Sequence, residues 1–175
     1  MKNAQFIVPT ADEYGDFYET YISRFQPTNF LEAFRGQIDE LFELLGDLPE
    51  GEDSRCHEPY TWSLKQLMGH LIDCERIFST RLLRIAVNDL TPIPGIEHTL
   101  YVDNLDYESV TMRDLLDEFG YLRKSNALLA SRLSREALSR RGTASDLPVS
   151  ANANLFIMGG HVAYHLEIIR KRLNQ

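Results

Sequence analysis

An all-α fold, a bundle of long amphipathic helices, is what the sequence predicts, and three observations carry it. Four segments repeat apolar residues at helical spacing. No segment sustains the alternation of a half-buried strand. Capping patterns or chain breakers flank the periodic stretches. Segments of this length bury their apolar faces best against one another. The chain of 175 residues has the length of one domain, 1–175, with residues 1–27 as an extension packed on or beside the bundle.

The first segment is predicted over 29–45, where Phe30, Phe34, Ile38, Leu41 and Leu45 share one face. Pro27 and Thr28 precede it, and Gly46 and Pro49 end it. The second is predicted over 64–87, with Leu64, Leu67, Leu71, Phe78, Leu82 and Ile85 as its stripe. Ser63 and Gln66 form a capping-box pattern, in which each side chain satisfies a backbone donor of the other. Pro92, Pro94 and Gly95 then enforce a loop.

The third segment is predicted over 112–133, with Thr111 and Asp114 as a box-like start and a short helical turn following at 134–139. The fourth is predicted over 152–173, after a loop holding Gly142 and Pro148. Gly159 and Gly160 lie inside it at a cost of about 1 kcal/mol each relative to Ala, which close helix packing would offset. Tyr14, Phe17, Tyr18, Tyr21 and Phe25 suit a short amphipathic helix that either caps the bundle or sits at a subunit contact. The link between the second and third segments runs to about 24 residues, a length that usually carries function or short structure of its own.

Composition narrows the function classes. A net charge of -8 and a pI near 5.1 argue against nucleic acid as a partner. The best basic cluster, Arg170, Lys171 and Arg172, ends a helix, where cations complement the dipole. Cys56 and Cys74 are too few for a disulfide framework. No stretch reads as a signal peptide or reaches the roughly 18 apolar residues of a membrane span, so the expected place is the cytoplasm, with no membrane partner.

Three histidines carry the chemistry. His161 and His165 are one helical turn apart, about 40° in azimuth, so both imidazoles can aim at one point. Read alone, the pair is equally two half-exposed surface residues. His70 lies mid-helix at the border of the second stripe. Were the second and fourth helices neighbours, three imidazoles would meet inside the bundle. Three protein ligands with an open fourth position is the usual plan of a catalytic zinc site.

The residues around those histidines resemble a known family. The resembling stretch starts at Tyr60-Thr61-Trp62-Ser63. It continues with Leu67-Met68-Gly69-His70-Leu71-Ile72-Asp73-Cys74-Glu75-Arg76-Ile77-Phe78, then Arg81 to Ile85. Pro94-Gly95-Ile96, Tyr101-Val102, Arg123, Asn126 and Leu129 follow, and Gly160-His161-Val162-Ala163-Tyr164-His165-Leu166 is the strongest piece. In this combination the chain resembles the DinB-like superfamily, and more closely its second DinB-like subgroup, the YfiT-like metal-dependent hydrolases. The resemblance implies an antiparallel four-helix bundle with a long crossover between helices 2 and 3. It implies one divalent metal ion on His70, His161 and His165, with zinc or nickel favoured over iron or manganese, and a homodimer. It points to hydrolysis of a small-molecule substrate or to transfer of a low-molecular-weight thiol. A metal-stapled bundle without catalysis and a dimeric interaction module are the alternatives. The family often has adjacent histidines where this chain has Tyr164-His165.

Other residues are weighed on their position. Glu75 falls within the apolar stripe, where an unpaired carboxylate is costly. An Arg from a neighbouring helix is the favoured partner, and a general base or an anchor for a metal-bound imidazole is the other reading. Arg81 shares the flank of His70 and is equally an anion holder or half of a structural ion pair. Cys74 is one turn from His70, within reach of a metal, though a small buried residue is the preferred reading. Asp73 faces solvent or a partner, Trp62 is a packing anchor, and His57 and His98 are loop residues, with His98 placed to cover a site mouth.

Overall fold

The computed structural model describes residues 5–174. Four long helices dominate it: α2 (Phe30–Leu45), α3 (Leu64–Ala86), α5 (Met112–Arg132) and α7 (Ala151–Leu173). Each begins where the sequence offers a cap. The side chains of Asn29, Ser63, Thr111 and Ser150 each accept a backbone N–H three residues on, and the Ser63–Gln66 box is complete. Shorter helices fill the connections: α1 (Glu19–Ile22), α4 (His98–Asn104) and α6 (Arg135–Ser139). α6 stands where a helical turn was expected.

Helix α3 packs against α5 and α7, and α2 packs against the same two, so α2 and α3 face each other across the bundle. Contacting residues give the directions. Arg76 meets Glu118 and Ser79 meets Asn126, so α3 and α5 run the same way. His70 meets His161 and Asn154 donates to the Phe78 carbonyl, so α3 and α7 run oppositely. Arg123 lies over Phe34 and Arg113 over Phe42, so α2 and α5 are antiparallel. Gln37 meets Gly159 and Glu40 meets Arg170, so α2 and α7 are parallel.

A polar layer divides the core. One apolar cluster holds Phe30, Phe34, Phe78, Ala127 and Phe156, and the other holds Ile38, Leu71, Phe119, Val162 and Leu166. Between them lie Gln37, Glu75 and Arg123, all buried. Arg123 donates to Glu75 at 2.8 Å and to Gln37 at 2.9 Å, Asn126 donates to Glu75 at 2.8 Å, and Gln37 donates to the Gly159 carbonyl at 2.7 Å. Residues from all four long helices thus close one network: sliding α3 or α5 by a turn would leave buried charge unpaired, and sliding α2 or α7 would leave a buried polar group without its partner.

The two adjacent glycines of α7 admit the N-terminal segment. A Cβ at Gly160 would collide with the backbone carbonyl of Tyr21, and one at Gly159 with the ring of Phe25. Helix α1 therefore lies directly on α7. The expected amphipathic helix is broken into short pieces, with 3-10 turns at Ala11–Glu13 and Asp16–Tyr18 before α1.

One element departs from the all-α expectation. The loop expected to hold Gly142 and Pro148 is a hairpin of β1 (Arg141–Ala144) and β2 (Leu147–Ser150), paired antiparallel. Its two-residue turn, Ser145-Asp146, has φ of 54° and 61°. Both values are left-handed, as a tight hairpin of matching twist requires. Strands of four residues are too short to show alternation, and Ser-Asp is not the Asn-Gly signal of such a turn. Tyr14 bridges Val149 on one side of the hairpin and Ile93 bridges Ala144 on the other.

Candidate metal centre

The bundle brings together the three histidines. His70 projects from α3, and His161 and His165 project from successive turns of α7. Their ring centroids are 4.6 to 5.0 Å apart, and one ligand-capable atom from each lies within 4.8 Å of the others. The Nε2 atoms of His70 and His161 are 3.1 Å apart. Two nitrogens bound to one ion at about 2.0–2.1 Å stand about 3 Å apart, so this spacing suits a shared cation. The Nδ1 of His165 is buried and has no hydrogen-bond partner among the described residues.

Burial keeps all three imidazoles neutral. It lowers His70 to about 4, with a smaller contribution from His98, and lowers His165 to about 3, with help from His70. His161 falls well below the ordinary value for the same reason, reinforced by His165 and His70. Neutral imidazole is the form that binds metal.

A cavity of about 650 Å³ opens onto this cluster, within the usual size range for small-molecule sites. Aromatic rings form its collar. Tyr21 meets His161 edge-on at 5.3 Å, Tyr164 meets His165 at 5.1 Å, and Trp62 lies 5.2 Å from His70. Trp62, expected as a packing anchor, is therefore a cavity wall. His98 was expected in a loop; it is the first residue of α4, exposed, with its ring 5.5 Å from His70. Tyr164, the neighbour of His165 in the chain, belongs to the collar.

The remaining candidates separate. Glu75 is absent from the cavity lining and is held by Arg123 and Asn126 in the polar layer, the pairing favoured from the sequence. Cys74 lines the cavity, but burial pushes its thiol up to about 12, and its Sγ lies 3.7 Å from His70 Nδ1. Asp73 accepts a hydrogen bond from the Tyr107 hydroxyl, and burial raises its carboxyl. Arg81 is 4% exposed and lines the cavity.

Three contributors to the site are not legible in the sequence. Tyr18 and Ser145 reach the cavity from the N-terminal segment and the hairpin. At another part of the lining, Arg172 donates to His57 Nδ1 at 3.2 Å, and His57 Nε2 meets Glu52 at 2.7 Å. His57, expected as an ordinary loop residue, is a buried relay from a cavity arginine to a carboxylate.

Among the described residues no helix is long and apolar enough to cross a membrane. No curated protein matches the chain. Among solved structures the fold is similar to YfiT from Bacillus subtilis, described as a probable metal-dependent hydrolase with an unusual four-helix bundle topology. The TM-score is 0.74 at 12% identity, over 86% of this chain and 94% of that one. The family model described as the DinB superfamily matches residues 33–169, a span running from α2 through His70 on α3 to both histidines of α7, and the chain belongs to that superfamily.

Proposed function

We propose that this protein is a metal-dependent enzyme, a hydrolase of small molecules, with one divalent ion held by His70, His161 and His165. The single observation that carries the reading is the meeting of three neutral, buried imidazoles at the floor of a cavity. An all-imidazole donor set suits zinc, nickel and iron(II) better than manganese, and zinc or nickel is the metal proposed here. Bound there, the ion would supply a Lewis acid and a nucleophile effective near neutral pH.

The chain's own residues do the rest. α3 and α7 hold the three rings from two rods locked by the polar layer. Tyr21, Trp62 and Tyr164 line the approach to the rings and would offer aromatic surface to an apolar group. Glu75 is a structural ion-pair partner in this reading, and no general base is assigned.

The wider reading is a single domain, 1–175, with residues 1–27 as its extension. The link from α3 to α5 acts as the long crossover of the bundle, and the protein works as a cytoplasmic homodimer. A second reaction, transfer of a low-molecular-weight thiol, uses the same open position, because a thiolate suits zinc as well as water does.

Elemental analysis of the purified protein tests the metal centre. Close to one equivalent of zinc or nickel per chain is expected, and His165→Ala should release it. Absence of bound metal after chelation and reloading would overturn the reading. Activity of the zinc-loaded protein on small amides and esters, compared with thiol addition to electrophiles, separates the two reactions.

A further inference from the structure

Arg81 differs from the other buried guanidinium groups of the bundle. Arg123 is paired with Glu75, and Arg172 reaches Glu52 through His57. Arg81 is buried as well, at 4% exposed, yet among the described residues it has no carboxylate within ion-pair distance. Its Nη1 donates to the Tyr18 hydroxyl at 3.3 Å and its Nη2 to Ser145 Oγ at 2.9 Å, and both acceptors are neutral. Its Nε is buried with no acceptor. A guanidinium carries five N–H donors, so most of its capacity is unused. A buried cation without a counter-charge is costly, and it persists where something else supplies the anion.

The surroundings say where that anion belongs. Arg81 lines the same cavity as the three histidines, and its guanidinium lies 5.6 Å from the Phe78 ring, which itself stands 5.6 Å from the His161 ring. Ser145 is held against Arg81 by the left-handed hairpin turn, backbone that stores strain at the cavity rim. Between arginine and histidines the lining is aromatic, with Tyr18, Tyr21 and Phe78.

We propose that Arg81 is an anion subsite that takes the carboxylate of a small substrate with an apolar or aromatic body, whose other end reaches the histidine cluster. The guanidinium fork matches a planar carboxylate by two parallel hydrogen bonds. The substrate class rests on the metal-centre reading, whereas the anion site stands on Arg81 alone.

The chain's only tryptophan, Trp62, lies in the cavity wall and reports occupancy by its fluorescence. The probes are 3-phenylpropionate and its neutral amide, titrated into zinc-loaded and chelated protein. The carboxylate should bind in both states and the amide about tenfold or more weakly, a difference that Arg81→Gln removes. Arg81→Lys should restore part of it, and it supplies the comparison if Arg81→Gln melts early. Equal carboxylate binding by the wild type and a folded Arg81 variant, or no carboxylate binding at all, overturns the proposal. Zinc bound at one equivalent with an indifferent Arg81 leaves the metal centre standing. Carboxylate binding that needs Arg81 in a protein that takes no zinc leaves the anion site standing.

Discussion

Gly160 lies against the backbone carbonyl of Tyr21, with no room for a methyl group between them. Helix α1 and helix α7 touch there main chain to main chain, and the Tyr21 ring is thereby set edge-on to His161. Gly160→Ala would gain about 1 kcal/mol of helix propensity and lose more to the clash, because a backbone atom cannot swing aside. The expected result is a net loss of about 1–3 kcal/mol in urea unfolding, together with weaker metal binding. An alanine variant more stable than the parent would show that α1 does not dock as described.

Acid should weaken the metal-free protein. In the unfolded chain the three histidines take protons below about pH 6.5. In the folded chain His70 resists until about 4 and His165 until about 3, with His161 also depressed. The unfolded state therefore binds more protons as pH falls. Stability is complete above about 6.5 and declines below it, by up to about 1.4 kcal/mol per pH unit for each imidazole. Urea midpoints between pH 7.5 and pH 5 check the slope, which His165→Asn should reduce. A flat profile would contradict burial of the rings.

Glu75 tests as structure. Removing one partner of a buried ion pair costs about 3–5 kcal/mol, so Glu75→Ala should melt far below the parent. Glu75→Gln keeps an acceptor for Arg123 and should lose less. Metal stoichiometry of Glu75→Gln should stay at the parental level, measured by elemental analysis. Loss of metal in a folded Glu75→Gln protein would instead tie the carboxylate to the centre.

The two thiols should react unequally. Cys56 is exposed, whereas Cys74 is buried with its thiol pushed up to about 12. A native protein at pH 8 should yield one fast equivalent with a disulfide reagent, and the second only on unfolding. Cys74→Ala should keep its metal. Rapid labelling of both thiols would mean that the cavity opens far more widely than the rings suggest.

The long helices were legible because their apolar spacing and caps are local, and the Ser63–Gln66 box or the Asn29 cap could be read within four residues. The histidine triad was half legible: His161 and His165 announce themselves by one turn of spacing, whereas His70 joins them only through packing of α3 on α7. The hairpin escaped notice because its strands are short and Ser145-Asp146 takes a turn usually written with Asn or Gly. The partners of Arg81 and Arg172 were beyond reach for another reason. Ser145 is 64 residues from Arg81 and His57 is 115 from Arg172, so only the tertiary fold pairs them. The same holds for Glu75, whose stripe position signalled a buried pairing without naming Arg123.

The three histidine rings sit on rigid rods, while the cavity rim is borrowed from pieces that lie far apart along the chain: the N-terminal aromatics, residues 60–62, α4 and the hairpin tip. In the proposed enzyme, chemistry and selectivity would thus be encoded in different places. Under the proposed function, a lineage could exchange one rim piece for another and change what enters the cavity without disturbing a single imidazole, which makes the rim the first place to look for differences between members of this superfamily.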